Sequence, residues 1–79
     1  MNLEAAQTIV NGVAERHPKL QPITIDCFGT YAGVTFKPID IDPRTVIKWF
    51  ETEHVVVPFQ IGYDIANDQM YLYFREATS

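Results

Sequence analysis

Two stretches of this chain alternate apolar and polar residues on either side of a turn signal, and they leave few folds open to it. Successive side chains of a strand point to opposite faces. Fold ITIDCFGTYAGVTFK about a two-residue turn at Gly29-Thr30, with glycine in the first position of a type II′ hairpin turn. Phe28 then faces Tyr31, Cys27 faces Ala32, Asp26 faces Gly33, Ile25 faces Val34, Thr24 faces Thr35 and Ile23 faces Phe36. One face reads Ile23, Ile25, Cys27, Ala32, Val34 and Phe36, all apolar. The other reads Thr24, Asp26, Phe28, Tyr31, Gly33 and Thr35. A slip of one residue would mix the two sets, so the register is well specified.

FQIGYDIANDQMYLYFR reads the same way about a turn at Asn67-Asp68. Its inner face is Phe59, Ile61, Tyr63, Ile65, Met70, Leu72 and Phe74. Its outer face is Gln60, Gly62, Asp64, Tyr71, Tyr73 and Arg75. In this register Gly62 faces Tyr73 and leaves room for its ring. Asn-Asp is a weaker turn signal than Asn-Gly, which leaves a four-residue loop open. Pro58 starts the regular strand after itself, or marks a strand at a sheet edge.

A helix precedes each hairpin. Over 3–16, Leu3, Ala6, Val10 and Val13 recur at steps of three and four, and His17 continues the stripe. Asn2 is its N-cap and Pro18 its stop. The second helix has Asp42 as N-cap and Pro43 at the first helical position, where a missing N–H costs nothing. Val46, Ile47 and Phe50 form its buried stripe, with Trp49 at the boundary. The order is helix, hairpin, helix, hairpin. Two one-sided helices cover one face of a four-stranded antiparallel sheet, so an αββαββ two-layer α+β sandwich is expected. The two halves repeat in shape, with little identity between them.

Residues 1–79 make a single α+β domain, since a chain this short has room for one core. A net charge of -4 opposes binding to a phosphate backbone or an anionic membrane. No stretch approaches the roughly 20 apolar residues of a membrane span. Residues 1–16 lack a basic start before an apolar run, so no secretory signal is expected. One cysteine, Cys27, forms no internal disulfide, and a cytoplasmic location is the expectation.

No group of residues specifies a reaction. Cys27 with His17 or His54 would make a nucleophile and base, but the register turns Cys27 inward, where a thiol acts as a small hydrophobe. Two histidines without a third ligand make no tetrahedral metal site. Of the acidic residues Asp40, Asp42, Glu51 and Glu53, Asp42 is taken by its cap and the rest form a solvated face. The one serine is Ser79. Gly29 and Gly33 flank a hairpin turn and no helix follows them, so they build no phosphate loop. A non-enzymatic protein with no cofactor and no metal is expected.

What the core does not absorb is the outer sheet face. It gathers Phe28, Tyr31, Tyr71 and Tyr73, with Gln60 and Arg75 on its polar rim and Trp49 near an edge. Exposed tyrosines with an arginine rim are the composition of protein interfaces. These seven residues are the expected interaction site, for a protein partner that is either a second copy or a different chain served as adaptor or inhibitor target. The alternatives are a single-stranded nucleic acid stacked on the tyrosines, which the acidic balance opposes, and an acidic body that mimics nucleic acid. Strand propensity alone also favours aromatics on a partly wet sheet.

Overall fold

The computed structural model describes residues 1–53 and 55–77. Two helices and a four-stranded antiparallel sheet make an α+β fold. The elements run α1 (Leu3–Arg16), β1 (Pro22–Cys27), β2 (Tyr31–Phe36), α2 (Pro43–Glu51), β3 (Val56–Asp64) and β4 (Gln69–Glu76). The sheet order is β1-β2-β4-β3. Each hairpin therefore supplies one edge strand and one central strand, and β2 meets β4 in the middle.

Both helices start where the capping chemistry places them. The Asn2 side chain accepts from the Ala5 N–H at 2.7 Å, and Asp42 accepts from the Arg44 N–H at 2.8 Å. Each satisfies one of the four N–H groups that a helix start leaves without a partner. Ala6, Val10 and Val13 from α1 and Val46 and Phe50 from α2 are fully buried. They pack in one cluster with Ala32, Val34 and Phe36 of β2 and Met70, Leu72 and Phe74 of β4. Both helices thus share one face of the sheet. Helix α1 lies over β1 and β2, and α2 lies over β3. Leu20, in the link from α1 to β1, joins the core, and so does Val56 at the start of β3.

The first hairpin has its expected register from Cys27–Ala32 to Thr24–Thr35. Its turn carries Gly29 at φ 83°, with no positive φ at Thr30, the backbone of a turn with glycine first. Beyond Thr24 the ladder shifts, and Pro22 rather than Ile23 pairs with Phe36. Ile23 is therefore 42% exposed, not core. Proline has no N–H to give the ladder, and a bulge at an edge absorbs that loss.

The second hairpin departs further from expectation. Its loop is the four residues 65–68, and Asp64 pairs with Gln69, Tyr63 with Met70, Gly62 with Tyr71 and Ile61 with Leu72. Asp64 closes the loop with its side chain. It accepts from the Ala66 N–H at 3.1 Å and from the Asn67 amide at 2.7 Å, while Asp68 takes φ 50°. Asx turns of this kind compete well with a two-residue turn that lacks glycine. The shift is two residues, so each side chain keeps its face, but Gly62 faces Tyr71 and not Tyr73. Ile65 moves into the loop and is 84% exposed. Tyr63 is half exposed and donates to Asp68.

A second irregularity lies between Pro58 and Gln60. Pro58 faces Phe74 and Gln60 faces Tyr73, so Phe59 is the extra residue of a bulge. Two residues opposite one send both side chains the same way. Phe59 leaves the inner face to which simple alternation assigns it. Strand β3 is an edge strand and contains Pro58, beginning two residues before it.

Candidate functional site

The outer face is built by cross-strand neighbours. Rings from three strands and one turn flank meet on it. Phe28 stands beside Tyr31 with centroids 5.1 Å apart, and Tyr73 lies 5.8 Å from Phe28 and 5.5 Å from Tyr31. Tyr71 lies 5.1 Å from Tyr73. Phe59 completes the group, 5.6 Å from Tyr31 and 6.3 Å from Tyr73. Most of these pairs are edge-on or tilted, the arrangement that ring quadrupoles favour.

Two glycines explain how the tyrosines lie. Gly33 pairs with Tyr73 and Gly62 pairs with Tyr71. A Cβ at Gly33 would sit 2.7 Å from Tyr73 Cδ1, and one at Gly62 would collide with the Tyr71 ring. Each ring therefore leans over the bare backbone of a neighbouring strand, Tyr73 toward β2 and Tyr71 toward β3. This covers the glycine and fixes the ring, as aromatics do opposite glycine in sheets. Tyr71 and Tyr73 are half-buried in this way, Tyr31 is half-buried among the neighbouring rings, and Phe28 and Phe59 each stay 47% exposed.

Because Tyr71 leans away from β2, the surface above Thr35 is hollow. A concavity of about 400 Å³ opens there, with Phe28, Tyr71 and Tyr73 on its apolar sides and Asp26, Asp64 and Gln69 on its polar ones. Thr35 lines it and is tied to Thr24 on β1, the two hydroxyl oxygens lying 2.5 Å apart. Among the described residues, both helices pack on the other side of the sheet and no element lies over this one.

Of the seven residues expected at the site, Phe28, Tyr31, Tyr71 and Tyr73 form one contiguous group. Gln60 and Arg75 are exposed at its border, opposite Tyr73 and Tyr31. Trp49 is not part of it. It lies on α2, on the helical side, half-buried and stacked on His17 at 4.4 Å and 9°. Phe59 belongs to the group although simple alternation assigns it to the core. The signal that finds it is Pro58, since a proline within a strand marks an edge or a bulge.

The other candidate residues are engaged structurally. His17 caps α1 and packs on Trp49. Beside it Arg16 pairs with Glu53, joining α1 to the end of α2. Lys19 lies 3.9 Å from Asp40. Cys27 is half-buried, with its thiol 2.6 Å from the Met1 carbonyl oxygen. Its strand lies at the sheet edge, where the core is thinner than the alternation implies. His54 and Ser79 lie outside the described residues. Among the described residues no three His, Cys, Asp or Glu side chains converge as metal ligands, and no helix is long and apolar enough to cross a membrane. No protein-family model matches this chain, and neither does any curated protein or solved structure.

Proposed function

We propose that this chain is a non-enzymatic protein-interaction module that binds a protein partner through the aromatic face of its sheet. The observation that carries the reading is the contiguous group of five rings on the side of the sheet that the helices leave open. Solvent-facing aromatics normally occur singly, and a contiguous patch with a polar rim marks an interaction surface. Tyr71 and Tyr73 are also held in place by their glycine partners, so little side-chain freedom is lost on binding.

The charge on the face favours protein over nucleic acid. A platform that stacks bases sits in a basic groove, whereas Asp26 and Asp64 line the hollow beside Tyr71 and Tyr73. Arg75 at the opposite border and Lys37, one residue past β2, balance these two carboxylates and build no basic groove.

Site-specific photocrosslinking tests the reading. A benzophenone amino acid replaces Phe28 on the open face or, in a second variant, Gln7 on the exposed side of α1, and each is illuminated with cell extract and with excess unlabelled protein. Protein adducts at position 28 and not at position 7 are expected. Adducts at position 7 alone, or none at position 28, would sink it.

A further inference from the structure

We propose that the hollow on the open face is a binding site for a linear aliphatic polyamine, held between Asp26 and Asp64 with its stem along Phe28, Tyr71 and Tyr73. The hollow lies within one copy of the chain, so the proposal does not rest on the protein partner. Its volume of about 400 Å³ is that of a small-molecule site.

Two carboxylates and three aromatic rings line the hollow, and no lysine or arginine does. Lys37 and Arg75 balance the face as a whole, but neither is paired with these carboxylates. Among the described residues the ion pairs join Arg16 to Glu53 and Lys19 to Asp40. Asp64 accepts one hydrogen bond on each oxygen from its own loop. An ionised carboxylate has about four acceptor positions, so it keeps capacity for a ligand.

The two carboxylates stand at opposite ends. Asp26 lies on the edge strand β1, in the row of Gly33, Tyr73 and Gln60. Asp64 lies on the other edge strand, β3, four residues along from Gln60. Three strand spacings by four residues put about 20 Å between their Cα atoms. Tyr71 and Tyr73 stand between them, with Phe28 edge-on to Tyr73.

This layout selects the ligand. Carboxylates so far apart hold no metal ion, which gathers its oxygens around one point. They repel anions. A single ammonium group meets one carboxylate and leaves the other without a cation. A chain with a cation at each end meets both, its methylenes cover the rings, and its inner ammonium groups lie where aromatic faces attract cations. The Gln69 amide, which pairs in register with Asp64, offers a further acceptor at that end. The net charge of -4 draws such a ligand in from solution.

Titration of isotope-labelled protein with spermine, followed by backbone amide shifts, tests the proposal. At about 0.15 M salt, charges more than about 8 Å away are largely screened. Saturable shifts are expected at Gly33, Thr35, Gln69 and Tyr71. Asp26→Asn and Asp64→Asn should each weaken spermine by about threefold or more. Glu51→Gln removes the same charge from the helical side and should change it by less than about twofold. Putrescine, too short to reach both carboxylates, should bind more weakly and give no saturation at concentrations that saturate with spermine. Equal losses in Asp26→Asn and Glu51→Gln, or shifts centred on the helices, would mean attraction to an acidic body only and overturn the site. So would native affinity in Asp26→Asn, or no saturation with millimolar spermine. If Asp64→Asn disturbs the loop, Gln69→Lys, which sets a cation beside Asp64, must weaken spermine by as much, and undiminished binding overturns the two-ended arrangement.

Discussion

A Cβ at Gly62 has nowhere to go while Tyr71 lies across it. Gly62→Ala is therefore expected to lose about 1–2 kcal/mol, because overfilling a packed site displaces its neighbours. With Tyr71→Thr already in place, the same change should cost less than about 0.5 kcal/mol, since coupled neighbours do not add. Chemical denaturation of the four proteins of this cycle measures the coupling, and equal costs in both backgrounds would deny the contact. Tyr63 gives a second test at this scale. The hydrogen bond it donates to Asp68 holds its phenol above the ordinary value of 10.0, with desolvation and the negative charges of Asp68 and Asp64 acting the same way. A raised value means that the neutral phenol is favoured in the fold. Its stabilisation is complete below the unfolded-state value and is lost as pH rises through the folded one. Tyr63→Phe should remove the most alkaline part of the tyrosine absorbance titration and flatten the fall of stability in that range. An unchanged titration curve would contradict it.

At the scale of elements, the bulge in β3 separates two phenylalanines that alternation puts on one face. Phe74 is fully buried against Phe50, with centroids 5.3 Å apart. Phe74→Ala should cost about 3–5 kcal/mol, the usual range for emptying a core ring site. Phe59 is 47% exposed and its ring neighbours are the outer rings Tyr31 and Tyr73, so Phe59→Ala should cost about 1 kcal/mol, the worth of an aromatic pair or two. Denaturant midpoints decide this, and equal losses would place Phe59 in the core and remove the bulge. The helix starts and the first hairpin were legible in sequence, because capping side chains and two-residue turns act over a few residues. The second hairpin was legible only in its faces. Its turn lacks glycine at the central pair, and the choice between two and four loop residues rests on Asp64 hydrogen bonds that side-chain alternation does not encode.

For the whole molecule, a chain of this length buries only about 60% of its unfolded surface, so stability gained from a partner forms a large share of the total. If the face closes against a second copy, the melting temperature must rise with protein concentration, as it does whenever association favours the folded state. Scanning calorimetry over a wide concentration range would then record that rise in the native protein and lose it in Tyr71→Thr with Tyr73→Thr. That pair should also lower the melting point somewhat even when dilute, because both rings pack on their own sheet. Leu72→Ala, on the buried side of the same strand, should cost about 2–5 kcal/mol at every concentration. A native melting point independent of concentration would leave a different chain as the partner.

Sequence by itself determined what depends on near neighbours. Asn2 and Asp42-Pro43 start the helices, Gly29 allows the first turn, and the period of two sorts Leu72 from Tyr71 and Tyr73. It also named four of the five rings on the open face. Tertiary structure decided the rest. The order β1-β2-β4-β3 sets two hairpins edge to edge, and that pairing joins residues some forty positions apart, beyond the reach of any local pattern. The bulges at Ile23 and Phe59 arise where a proline meets a ladder, and they exchange faces only once a partner strand exists to define them. Trp49 went to the helical layer because α2 needed its stripe over β3, and His17, brought there by α1, gave the indole a surface to stack on.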